Sequence, residues 1–292
     1  MSLLLLALGL LPHIAWAKAI TIGSVTSSEP AAEVKKFLPL ARYLASQLNS
    51  EGIEQGKVVV VETVRQMADL LREGKVDLYI DSAFPVMAAS RLAGSKPLLR
   101  RWKRGIGEYH SVIFTRKESG IDRLEDLRGK MIGFEGPSST SGYLLPKVIL
   151  QERGLRPTAK TAPSEPVTPR EVGYVFTGDD ENTMVWVLRG KISAGAMDNQ
   201  TYLRRGGRDV ESLKILYKSS SMPRHIVSHR ADLDPALLAR IKQLLIRMDQ
   251  SEEGRKALQD FEKTTKFDEL SEELMAPLLK LQPFVDAEIG IR

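Results

Sequence analysis

Cysteine is absent from the 292 residues, which excludes disulfides, thiolate metal sites, a cysteine nucleophile and the lipid-modified cysteine of a bacterial lipoprotein. Charge is absent from the first 17 residues, MSLLLLALGLLPHIAWA. That stretch has an apolar core from Leu3 to Leu11 and ends on the small-x-small triplet Ala15-Trp16-Ala17. It reads as a secretory signal without the usual basic start, with cleavage expected after Ala17 and a periplasmic destination. Long apolar runs are missing too: a bilayer core needs about 20 apolar residues, and neither this segment nor any later one supplies them. Catalytic signatures are also lacking. There is no phosphate loop, no zincin helix and no G-x-S-x-G elbow. His225 and His229 have i,i+4 spacing, but they lie in a strand-like stretch, HIVSHR, with no third ligand. The expectation is a binding protein with no cofactor and no metal.

What remains is ordinary globular material, 42% hydrophobic and 27% charged, enough for one large domain or two moderate ones. The net charge is +5, and the uncharged leader does not alter it. Mild basicity attracts anionic ligands at long range. The basic residues are scattered; their one cluster, Arg100-Arg101-Trp102-Lys103-Arg104, is short and reads as a solvated surface patch, so nucleic acid is not expected as a partner.

From residue 19 strand and helix patterns alternate. Residues 19–25, 57–64 and 75–80 read as strands, with helices at 30–48 and 65–73 between them. A β-prone stretch, YHSVIFTR (109–116), precedes a second alternating unit: strand 131–134, helix 141–153, a four-proline loop at 157–170, strand 171–177, helix 182–189 and strand 191–197. Strands follow at 213–218 and 225–230, and then a helix capped by Asp234 with Pro235 at its first position. Alternation of this length implies parallel sheets. The expected fold is α/β: two lobes, 18–116 plus 218–292 and 117–217, joined by crossings near residues 110 and 222. A ligand would sit in the cleft at the carboxyl ends of the strands.

The most informative segment, Phe134-Glu135-Gly136-Pro137-Ser138-Ser139-Thr140-Ser141-Gly142-Tyr143, lies between a strand and a helix. A first helical turn presents unpaired N–H groups and about half a positive charge, which suits an anion. One hydroxyl would cap the helix. Four in succession exceed that need, and each can donate to an oxyanion.

The segment resembles the D-P-x-S-T-S-G motif of the phosphate/phosphite/phosphonate-binding proteins that serve ABC importers, a family with the two-lobed type II periplasmic binding fold. Further pieces match in order: Pro39-Leu40, Tyr43-Leu44, Gly74-Lys75-Val76-Asp77, Tyr109-His110-Ser111, Leu127-Arg128-Gly129-Lys130, Gly190-Lys191 and Met222-Pro223. The resemblance covers about residues 20 to 265. It implies that Ser139, Thr140 and Ser141, with Ser138 beside them, hold the oxyanion. It also implies that Tyr109 closes over the ligand, and that Glu181 and Asp198 lie at the ligand's other end. Two departures stand out. Gly136 replaces the motif's aspartate, and Asp81-Ser82-Ala83-Phe84-Pro85 occupies a place the family gives to a Gly-Pro-rich loop. Asp81 and Ser82 are therefore expected at the ligand. An ionised Asp81 about 4 Å from an anion would repel it by roughly 4 kcal/mol at an effective dielectric near 20, unless it meets a protonated oxygen or an amine, or makes a structural bond. The expected function is oxyanion capture by a monomer for an ABC permease. A membrane sensor kinase as partner is the alternative, and an enzyme on the same scaffold is a third reading.

Overall fold

The computed structural model describes residues 18–26 and 28–291; the expected signal peptide lies outside them. In chain order the elements are β1 (Lys18–Val25), α1 (Pro30–Gln47), β2 (Ile53–Val61), α2 (Val64–Arg72), β3 (Leu78–Asp81), α3 (Ala83–Ala93), β4 (Lys96–Lys103), β5 (Glu108–Tyr109), β6 (Ser111–Arg116) and β7 (Met131–Phe134). There follow α4 (Leu145–Glu152), β8 (Pro157–Ala159), β9 (Val172–Phe176), α5 (Asp180–Leu188), β10 (Ala194–Asp198), α6 (Asn199–Gly206), β11 (Leu213–Lys218), β12 (Met222–Pro223) and β13 (His225–His229). The last are α7 (Pro235–Ile246), α8 (Glu252–Asp260), β14 (Thr264–Glu269), α9 (Glu272–Lys280) and α10 (Gln282–Glu288). Among the described residues no helix is long and apolar enough to cross a membrane.

The strands form two six-stranded sheets, ordered β14-β4-β13-β3-β1-β2 and β11-β6-β10-β7-β9-β8. In the first, β1 runs parallel to β2 and β3, and the β13, β4 and β14 side is antiparallel. In the second, β7, β8, β9 and β10 are parallel, with β6 and β11 antiparallel at one edge. The expected crossings are a two-stranded ribbon: Met222 pairs with Tyr109 and Pro223 with Glu108. The expected lobe boundary puts residues 111–116 in the first lobe, whereas β6 pairs with β10 and β11 and so belongs to the second sheet. Pairing partners, not local pattern, decide which sheet owns a strand.

Local chemistry accounts for the helix boundaries. Thr63 accepts from the Gln66 N–H while the Gln66 side chain accepts from the Thr63 N–H, a capping box that opens α2. Asp234 accepts from Leu237 N at 2.8 Å, with Pro235 at the first helical position of α7. Buried side chains of β1 and β3 (Ile20, Ile22, Leu78, Ile80) pack under α1 and α7 through Leu44, Ile241 and Leu245. Each such side chain contributes about 1.5–3 kcal/mol. Another apolar cluster is continuous between the lobes, from Tyr79 and Phe84 to Phe134 and Tyr143.

The basic cluster at 100–104 is not a solvated patch. Its first four residues lie in β4, paired with β13 and β14, and Arg101 is 0% exposed. Arg101 donates to Glu262 at 3.0 Å and Thr264 at 2.8 Å, and its guanidinium lies 3.8 Å from the Phe261 ring centroid. Burial alone would raise the Glu262 pKa, but Lys103 and Arg101 outweigh it and hold the group at about 2. A side chain from α10 reaches the second lobe: Glu288 accepts from the Tyr143 hydroxyl at 2.6 Å and pairs with Lys147. The neighbouring Asp286 binds Arg91 of α3 at 2.8 Å. This helix is therefore fastened to both lobes.

Candidate functional site

A cavity of about 400 Å³ lies between the lobes. Four helical starts open on it: α3 behind Asp81 and Ser82, the turn Thr140–Leu144 that leads into α4, α5 at Asp180, and α6 behind Asp198. Each follows the carboxyl end of a strand, where orphan N–H groups and the positive end of the helix dipole converge. The turn Thr140–Leu144 is π-helical, one residue wider than an α turn, and widening of this kind recurs at functional sites.

The hydroxyl run is divided in its roles. Ser139 caps its helix, accepting from Gly142 N at 2.9 Å, and donates to Glu135 at 2.6 Å. Thr140 is turned across the cleft: its Oγ1 accepts from Phe84 N at 2.8 Å and donates to Ser82 Oγ at 2.9 Å. Two of the four hydroxyls are thus already committed within the protein. Ser138 and Ser141 line the cavity, and Ser111 donates to the Ser141 carbonyl at 2.6 Å. Tyr109 is buried against Ser141 and Thr140, beneath the Arg224 guanidinium at 5.3 Å; burial pushes its hydroxyl pKa up.

Asp81 accepts from the Tyr79 hydroxyl at 2.9 Å and Ser82 N at 2.6 Å, yet burial raises its pKa to about 7. Near neutrality it is therefore partly protonated, and the repulsion expected of a fixed negative charge is reduced accordingly. Asp198 lies at the cavity, caps α6 through Gln200 N and Thr201 N, and pairs with Arg224 at 3.2 Å. Burial opposes its ionisation, but Arg224 and Thr201 prevail and hold its pKa below the usual range. Glu181 is not at the cavity. It is exposed on α5 and pairs with Arg205 at 2.8 Å, and the preceding residue, Asp180, faces inward instead.

Sequence reasoning missed Asp180, Glu135, Arg224, His225, Lys103, Arg104 and Arg204, all on the cavity wall. Burial, then Glu135 and Asp198, raises Asp180 to about 8, and burial raises Glu135 as well. Burial and the neighbouring Lys103, Arg101 and Arg224 hold His225 well below its usual pKa, so it is neutral. Among the described residues four buried side-chain polar atoms lack partners. Three of them, Asp180 Oδ1, Arg224 Nε and His225 Nδ1, belong to cavity-lining residues. Each orphan costs about 1–3 kcal/mol, and all three belong to the wall of one cavity. The available sequence signals were local: Asp180 adjoins the Asp179 cap, and Arg224 follows the Met222-Pro223 crossing.

The family model described as "ABC transporter, phosphonate, periplasmic substrate-binding protein" matches residues 22–275. The tetrathionate sensor histidine kinase TtrS of Salmonella typhimurium is 30% identical over 198 residues, 66% of this chain and 31% of the kinase. The chain thus spans about a third of that relative's length. The phosphate-import protein PhnD of Mycolicibacterium smegmatis is 24% identical over 235 residues, 78% of this chain and 71% of PhnD. Among solved structures, XAC2383 of Xanthomonas citri bound to chloride superposes with a TM-score of 0.87 at 27% identity, covering 93% of this chain and 99% of XAC2383. The same protein bound to ATP gives 0.87 at 26% identity, covering 94% and 98%.

Proposed function

The chain belongs to the phosphonate periplasmic substrate-binding proteins of ABC transporters, and from that premise we propose that it captures a small phosphorus oxyanion between its lobes for delivery to a membrane permease. One observation carries this reading: four helical starts converge on a single cavity, three of whose lining residues carry unpartnered buried polar atoms. Ser138, Ser141 and the first-turn amides contact the oxyanion, Arg224 supplies positive charge, and Asp81 and Asp180 donate from their protonated forms. The roles are binding roles, with the Ser139 hydroxyl that donates to Glu135 also engaged as a helix cap, and we read the protein as a receptor. We also place cleavage after Ala17.

Isothermal titration calorimetry with phosphate, phosphite, methylphosphonate and aminoethylphosphonate tests the reading. Binding of at least one, lost on Arg224→Ala, is expected; silence from all four defeats it. The likeness to TtrS favours a second reading, in which the closed lobes report to a sensor kinase. Tetrathionate belongs in the same titration: tetrathionate bound in preference to every phosphorus anion favours this second reading.

A further inference from the structure

A second cavity, of about 410 Å³, adjoins the first. Lys103, Arg104, Arg204 and Arg224 line both. The rest of its wall is Ile106, Gln200 and Leu203, so it contains no carboxylate, and the serine run does not border it. Its cations come from both lobes and from the connection between them: Lys103 and Arg104 at the end of β4, Arg204 on α6, and Arg224 just after β12.

Two of the four are neutralised internally, Lys103 by Glu262 at 2.8 Å and Arg224 by Asp198 at 3.2 Å, whereas Arg104 and Arg204 form no ion pair among the described residues. Arg104 also holds a left-handed backbone, φ 56°, just before Gly105. Such a conformation is costly for a residue other than glycine and persists where the surroundings impose it. Arg104 and Arg204 stand at one cavity although they come from different lobes, and their like charges repel until an anion lies between them. Arg224 lines both cavities, is only 8% exposed, and its Nε has no partner.

We infer that the ligand carries a second anionic group beyond its first phosphorus head, and that Arg104 and Arg204 receive this group in the basic annex. Inorganic pyrophosphate is the simplest anion of this class. The inference rests on the capture reading above and narrows it: one head lies at the serine run, and the other bridges arginines from opposite lobes.

The test is calorimetry with methylphosphonate and pyrophosphate, at matched ionic strength, on the wild-type chain and on an Arg104→Asn/Arg204→Gln double variant. Asn tolerates the left-handed backbone, and thermal melts verify that the variant folds. Wild type is expected to bind pyrophosphate about tenfold or more tighter, and the variant to lose about tenfold more affinity for pyrophosphate than for methylphosphonate. Equal losses for both ligands, or a wild type without preference for pyrophosphate, would overturn the annex while leaving capture intact. If neither anion nor the other phosphorus oxyanions bind to wild type, the capture reading falls and the annex with it.

Discussion

Charged residues in this protein are governed by what is buried beside them. Asp81 at about 7 and Asp180 at about 8 retain protons in the folded state that an unfolded chain, with carboxyls near 4, releases. The folded state therefore binds more protons between those values, and stability falls as pH rises from about 4 through 8. Asp81→Asn removes its part of that penalty. Thermal melts of the unliganded protein should show the variant losing less stability than wild type between pH 5.5 and 8.5, by about 1 kcal/mol or more; parallel curves would contradict the assignment. Glu262, held at about 2, has the opposite sign. It contributes stability above its unfolded value near 4.5, and that stability is lost as pH falls toward 2. Glu262→Gln leaves Arg101 buried without a counter-charge and should cost about 3–5 kcal/mol at pH 7 by urea denaturation, a penalty that shrinks in acid.

At the scale of elements, close backbone contacts fix how helices lie on strands. A Cβ on Gly56 would stand 2.1 Å from the Ala41 carbonyl oxygen, where α1 crosses β2. Gly56→Ala should therefore destabilise by about 2–3 kcal/mol, and an unchanged urea midpoint would refute that packing. The same scale explains what the sequence reveals. β7 and the start of α7 are legible because a continuous apolar run and a Pro-capped stripe are local signals. α3 is not, because seven of its eleven residues are buried, so no polar face marks a helical period, and Pro85 suggests a loop. The basic run in β4 misleads because its counter-charges, Glu262 and Asp268, lie more than 150 residues further along the chain. The site is legible in part for the same reason. A run of hydroxyls before a helix is visible locally, whereas Arg224 and His225 reach the cavity only through the second crossing.

At the scale of the molecule, two sheets, one ribbon of crossings and one strap define a clamp. The strap is α10, tied to α3 through Asp286–Arg91 and to the second lobe through Glu288, Tyr143 and Lys147. None of these residues lines the cavity. Glu288→Gln should nevertheless lower affinity for a titrating anion by about three- to tenfold, because ligand and strap draw on the same closed population. Small-angle scattering of the unliganded variant should show a larger radius of gyration. If affinity and radius are both unchanged, the strap does not bias closure. The bond from Phe84 N to Thr140 has a different consequence, one of timing. It joins Phe84 of α3 to Thr140 of the second lobe, so its loss is expected to act on residence time and to leave arrival untouched. Thr140→Val, losing about 1 kcal/mol, should quicken dissociation about fivefold in stopped-flow measurements with little change in the association rate constant. On the capture reading proposed above, one hydroxyl would then set how long a bound anion is kept.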